Sequence, residues 1–307
     1  MRIVFFGTPQ FAVPSLEAVS REHDVVLVVA QPDRRAGRGL KLQRPAVVEK
    51  AEELGLPFHQ PLKVRDEAFL QSIADLRPDA GVVVAYGRIL PTGLLEIPRL
   101  GFLNVHASIL PKYRGAAPMQ RAVEAGEPMT GVTIMRVEEE LDSGPVYAID
   151  KVPIGPDERL PSLSARLAEV GADALLRVLA NPGTPTPQDH SRATHAPKVE
   201  KQEGRITFDE PVAAIYNKFR AFDPWPGVFF ESGGETIKIV EMRSGAGAGP
   251  GPGPGPGRDI LAIDDGVTVA TRDGAVRLLE LQRSGKPRAS AGDIARGLGW
   301  RAGAPIP

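Results

Sequence analysis

Four short apolar runs, Arg2-Ile-Val-Phe-Phe6, Val25-Val-Leu-Val-Val29, Ala80-Gly-Val-Val-Val84 and Gly101-Phe-Leu-Asn-Val-His106, punctuate the first third of the chain, with stretches of helical periodicity between them. Runs of this length are too short for buried helices and fit strands covered on both faces. Pro14 to Val19, Ala46 to Leu54 and Asp66 to Asp75, with Asp66 as N-cap, are predicted helices. Beyond residue 110, Pro118 to Ala125 and Leu160 to Leu179 read as further helices, and Gly131 to Arg136 as a strand. The alternation predicts an α/β domain built on a parallel sheet. A single glycine, Gly7, follows the first strand, and Pro9 stands where a dinucleotide fold would place its second, so no G-x-G-x-x-G is present.

At 307 residues the chain is long for one core, which predicts two domains. Asn181-Pro-Gly-Thr-Pro-Thr-Pro187 and the polar run to Lys201 have the composition of a semi-rigid linker. After it the texture changes to short alternating segments, at 236–240, 259–263, 267–270 and 275–281, as in a small β-barrel. The expected division is residues 1–180, a linker over 181–203 and a barrel over 204–307. Ser244 to Gly257 is Gly/Pro-rich and lacks both core-forming side chains and a P-loop lysine, so it is predicted to be a mobile hairpin insertion and no phosphate cradle. No run of about 18 apolar residues occurs, and the N-terminus enters a strand directly; neither a membrane span nor a signal peptide is expected. There is no cysteine, so disulfide and thiolate chemistry are excluded and the cytoplasm is the expected compartment.

The strand at 101–106 ends in chemistry. Its N-x-H alternation puts Asn104 and His106 on one face, and Pro111 and Gly115 stop the strand and release a loop. Leu141-Asp142-Ser143-Gly144 offers a carboxylate in a second loop. An amide and an imidazole can donate to oxygen as negative charge develops on an attacked carbonyl. The carboxylate can orient the imidazole or hold a proton-carrying water. No Ser lies in a G-x-S-x-G elbow, which favours direct transfer over an acyl-enzyme. Taken singly, an Asn or His at a strand end is usually a satisfied structural residue. His23, His59, His106, His190 and His195 show no metal-like spacing, and no metal is expected. Glu138, Glu139 and Glu140 read as solvated. The loop Ala85 to Pro91 directly follows a strand, where it either walls a ligand crevice with Ile89 and Leu90 or simply joins the core. Net charge is −1, yet residues 31–44 carry +4 from Arg34, Arg35, Arg38, Lys41 and Arg44 against Asp33. Gly37 and Gly39 make this stretch a moving loop suited to phosphate contact. Arg283, Lys286, Arg288, Arg296 and Arg301 against Asp293 form a second basic set near the C-terminus.

Asn104-x-His106-x-Ser108-Ile-Leu-Pro-x-Tyr-Arg-Gly115 followed by Asp142 resembles the signature of enzymes that transfer a formyl group from 10-formyltetrahydrofolate; Ile109 stands where that family usually has Leu. Phe5 to Leu16, Gln31 to Gly39 and Asn217 to Gly227 are similar to the branch acting on methionyl initiator tRNA, and the likeness runs nearly the whole chain. It implies a Rossmann-like catalytic domain followed by an OB-like, tRNA-binding domain, and a monomer. It also implies Asn104, His106 and Asp142 as catalytic residues. Ser108, Ile109, Leu110, Pro111, Gly87, Arg88, Ile89 and Leu90 would border the folate co-substrate, and Arg34, Arg35, Arg38, Lys41 and Arg44 would meet tRNA. Three alternatives stay open: a formyltransferase for an amino group on a nucleotide-linked sugar, a folate-dependent hydrolase, and a non-catalytic RNA-binding protein.

Overall fold

A computed structural model describes residues 1–36, 41–244 and 258–307. The expected Gly/Pro hairpin insertion and Arg38 lie outside the described residues. The chain divides into two compact units: residues 1–119, 129–154 and 162–197 form the first, and residues 120–128, 155–161 and 198–307 the second. The stretch 181–203 is thus shared, with residues up to Pro197 in the first unit.

The first unit is built on strands β1 (Arg2–Gly7), β2 (Asp24–Val29), β3 (Phe58–His59), β4 (Ala80–Val84), β5 (Phe102–His106), β6 (Met129–Arg136) and β7 (Val146–Pro153). They form one sheet in the order β7-β6-β5-β4-β1-β2-β3. Five of them, β5, β4, β1, β2 and the edge strand β3, pair in parallel; four are the buried apolar runs, and the two-residue β3 carries no such signal in the sequence. β6 and β7 extend the sheet with antiparallel pairing, so the sheet is mixed at that edge. Helices α1 (Val13–Glu22), α2 (Ala46–Glu53) and α3 (Glu67–Asp75) supply the crossovers. Asp66 does sit at the N-cap of α3, but its side chain accepts no capping hydrogen bond.

One core cluster joins sheet and helices through Val4, Phe6, Ile73, Tyr86, Leu94 and Phe102. Phe6 meets Tyr86 edge-on at 5.2 Å between ring centroids and Phe102 at 5.5 Å. That geometry suits the aromatic quadrupole and adds about 0.5–1.5 kcal/mol per pair beyond burial. Gly81 opposes Phe102 across the β4–β5 ladder, and the ring occupies the space a side chain at 81 would need.

In the second unit, β8 (Val228–Ser232), β9 (Glu235–Ser244), β10 (Ile260–Ile263), β11 (Val267–Ala270), β12 (Ala275–Arg283) and β13 (Arg288–Ser290) make an antiparallel sheet, ordered β8-β9-β12-β11-β10 with β13 on β12. The alternating texture after residue 204 anticipates it. β8 and β13 were not visible as strands in the sequence. Arg220, buried in this unit, donates to the Gly155 carbonyl at 3.0 Å and to Asn217 Oδ1 at 2.6 Å, and burial pushes its guanidinium pKa down.

The Gly81–Phe102 contact predicts the cost of one methyl group. A Cβ at position 81 would lie 2.3 Å from the Phe102 ring. Gly81→Ala should therefore destabilise by about 1–3 kcal/mol through overpacking, read as a lower denaturant midpoint at unchanged slope.

Candidate active site

β1, β4 and β5 are parallel neighbours, so the loops that follow them leave the sheet along one carboxyl edge. Pairing of Val83 with Asn104 fixes the register of β5, and strand alternation turns Asn104 and His106 to the same face. The connection from β6 to β7 folds back over that face and brings Asp142 to both. Asn104 Nδ2 lies 3.4 Å from Asp142 Oδ1, and His106 Nδ1 lies 3.7 Å from Asp142 Oδ2. The Gly115 N–H donates to Asp142 Oδ2 at 2.9 Å. The amide, imidazole and carboxylate expected to meet do meet, with the His106 and Asp142 side chains only 6% and 10% exposed.

The two imidazole nitrogens have different surroundings. His106 Nε2 is 2.9 Å from the Tyr113 carbonyl oxygen, which can only accept. Nε2 therefore carries a proton, and Nδ1 is the nitrogen that faces the Asp142 side of the site. A ring protonated at Nε2 alone can accept a proton at Nδ1, and one protonated at both nitrogens donates there.

The loop from Ala107 to Ala117 is held by borrowed side chains. Thr133 Oγ1 donates to the Ser108 carbonyl at 2.7 Å and accepts from the Leu110 N–H at 3.2 Å. The Ser108 hydroxyl donates to the Lys112 carbonyl at 2.7 Å, and Thr194 Oγ1 accepts from the Tyr113 N–H at 2.8 Å. Of the four residues expected along the folate here, Ser108 and Leu110 are buried and Ile109 and Pro111 half-buried. In the loop after β4, Gly87 adopts a positive φ of 82°. Arg88 turns to the main chain, donating to the Leu62 carbonyl at 2.6 Å and more weakly to that of Pro61. Ile89 is 66% exposed whereas Leu90 is buried in the core cluster, so the two apolar residues divide between the readings left open.

Of the basic stretch, Arg34, Arg35 and Lys41 lie on two short antiparallel strands, pairing 34–36 with 41–43, where the sequence suggested a moving loop. Arg34 Nη2 donates to Gln31 Oε1 at 3.1 Å. Arg44 makes a two-point bridge to Glu52 at 2.6 and 2.7 Å, so its charge is already matched. The C-terminal basic set is likewise thinned: Arg283 pairs with Glu235 and Arg296 with Asp293. Among the described residues no cluster of His, Asp and Glu could hold a metal ion, and no helix is long and apolar enough to cross a membrane.

Thr133, Thr194 and Gln188 all support this site, and sequence reasoning singled out none of them. Thr133 lies inside the strand expected over Gly131 to Arg136, and the other two lie in the polar run read as part of a linker. Thr133→Val would leave a buried N–H and a buried carbonyl without partners. It should cost about 1–3 kcal/mol for each group left unpaired, with Thr133→Ser largely restoring the wild-type midpoint in a denaturation series.

Comparison with known proteins shows what the chain is similar to. Residues 1–179 match the family model described as formyl transferase, and residues 198–299 match that described as formyl transferase, C-terminal domain. A methionyl-tRNA formyltransferase of Thermus thermophilus is 46% identical over 301 residues, 97% of each chain. That of Sorangium cellulosum is 44% identical over 309 residues, covering 99% of this chain and 98% of its own. Among solved structures, an N-formyltransferase from Helicobacter canadensis in complex with folinic acid and dTDP-3-aminofucose superposes with a TM-score of 0.68 at 16% identity, over 92% of this chain and 98% of that one; this is a likeness of fold. The chain belongs to the formyl transferase family, through both its N-terminal and its C-terminal domain.

Proposed function

We propose that this protein transfers the formyl group of 10-formyltetrahydrofolate to the α-amine of methionine on initiator methionyl-tRNA, in translation initiation, by direct attack without a covalent enzyme intermediate. The observation that carries the reading is the convergence of Asn104, His106 and Asp142 at the carboxyl edge of β5. Near-identical length and identity above 40% to named methionyl-tRNA formyltransferases support the acceptor over a nucleotide-linked amino sugar. We further take the enzyme to work as a monomer in the cytoplasm.

In this reading the folate supplies an activated one-carbon unit, and the protein positions it against the amine. The exposed Ile89 and the half-buried Ile109 and Pro111 suit the apolar wall of a pterin site. Asn104 Nδ2 has only a long contact to Asp142 and is free to strengthen a bond to the developing oxyanion. His106 takes the proton of the attacking amine at Nδ1. The imidazolium so formed faces the Asp142 carboxylate, which stabilises it, and Nδ1–H then returns the proton to the departing folate nitrogen.

Single-turnover formylation of methionyl initiator tRNA tests this. Asn104→Ala should slow transfer by about 10²–10³-fold, the usual loss for one oxyanion donor. His106→Ala should cost about 10²–10⁴-fold as the general base is lost. No transfer by the unmodified protein would remove the reading, and undiminished transfer by both variants would remove the site. Replacing Arg38 should raise the KM for charged tRNA and lower the slope of log affinity against log salt by roughly one. A sugar acceptor would show neither change.

A further inference from the structure

The loop bearing Asp142 is held by a single side chain from the stretch that reads as a linker. Gln188 Nε2 donates to the Asp142 carbonyl at 2.9 Å and to the Gly144 carbonyl at 2.7 Å. Its Oε1 accepts from Arg114 twice, from Nη2 at 2.8 Å and Nε at 3.2 Å. Both donor hydrogens and both acceptor positions of the amide are thereby used. Arg114 can only donate and the two loop carbonyls can only accept, so the amide has one permitted orientation. The reverse orientation would set oxygen against two carbonyls and an NH₂ against a guanidinium. Arg114 is fixed in turn, with Nη2 3.3 Å from His190 Nδ1 and Nη1 3.9 Å from Glu140. Gln188 and Arg114 are both buried.

The clamp acts where the backbone needs it. Asp142 has φ 51°, a left-handed conformation that costs a non-glycine residue free energy and persists only under external constraint. The two amide bonds fall on the carbonyls either side of Ser143, and the Gly115 N–H fixes the carboxylate itself. Arg114 and Gly115 are adjacent, so the same short segment that holds the Asp142 carboxylate also orients the amide that holds its backbone.

We infer that Gln188 is a positioning residue for Asp142, keyed by Arg114, and that it sets the rate of the transfer step without touching either substrate. The inference rests on the transfer reaction proposed above. Asn at 188 is one methylene too short to bridge the two loops, and Glu replaces the two required donors with acceptors.

The test is single-turnover formylation over a range of tRNA and folate concentrations, with Gln188→Met and Gln188→Glu each made alone and in an Asp142→Asn background. Gln188→Met should lower the maximal rate by about 10- to 100-fold, the scale of a misplaced catalytic group, while the apparent affinities for both substrates hold. In the Asp142→Asn background the same substitution should cost little further, because the group it positions is already lost. Gln188→Glu keeps side-chain length and the Arg114 acceptor; it carries the test alone if the Met variant fails to fold, with the same expected pattern. An unchanged maximal rate, or an equal fold-loss in both backgrounds, would overturn the inference. Absence of formylation by the unmodified protein would overturn the reaction itself, and this inference with it.

Discussion

A buried loop must find partners for its backbone polar groups, and the segment from Ala107 to Ala117 meets that demand by borrowing from three other parts of the chain. Thr133 serves Ser108 and Leu110, Thr194 serves Tyr113, and the Ala196 carbonyl accepts from the Ala117 N–H. Asp142 itself serves Gly115. Asp142, a member of the candidate trio, is thus also part of the scaffold. Its carboxylate is held by the loop it helps to hold, and for that reason the site has a defined geometry at so little exposure.

Three of the non-glycine residues with positive φ lie in the loops that build the site: Ala85 at 47°, Tyr113 at 61° and Asp142 at 51°. Each is worth of order 1 kcal/mol of strain or more, offset by the surrounding hydrogen bonds. At Gly115, with φ 122°, strain and close approach coincide: a Cβ there would sit 2.7 Å from the Ala196 carbonyl oxygen. The backbone passes through this point only because no side chain is present.

Charge is used locally. A chain of net charge −1 has no general attraction for RNA, so association with tRNA depends on which cations are left unmatched by nearby carboxylates. The two-point Arg44–Glu52 bridge and the Arg283–Glu235 pair withdraw two arginines that composition alone counts as available. Arg38 is flanked in sequence by Gly37 and Gly39.

The parallel core of the first unit follows from the amino-acid pattern alone, because β1, β2, β4 and β5 are apolar runs that fit strands covered on both faces. The same pattern determined the face shared by Asn104 and His106, because strand alternation is a local property of two residues. It also determined that residues after 204 would be β-rich. The antiparallel edge β6–β7 was half legible, since Val146–Pro153 alternates in burial and carries charge, and so lacks the continuous apolar signature. Which nitrogen of His106 faces Asp142 emerges only in three dimensions, since it follows from a carbonyl seven residues on and not from the imidazole's own neighbours. The tertiary structure alone separated Ile89 from Leu90, and it turned Arg88 to the carbonyls of 61 and 62. It also placed Gln188 under the Asp142 loop, 46 residues away in sequence. Hydrogen bonds between distant loops leave no periodicity in a chain, whereas strand and helix faces do; the fold could be read from pattern, and the support of the site required coordinates.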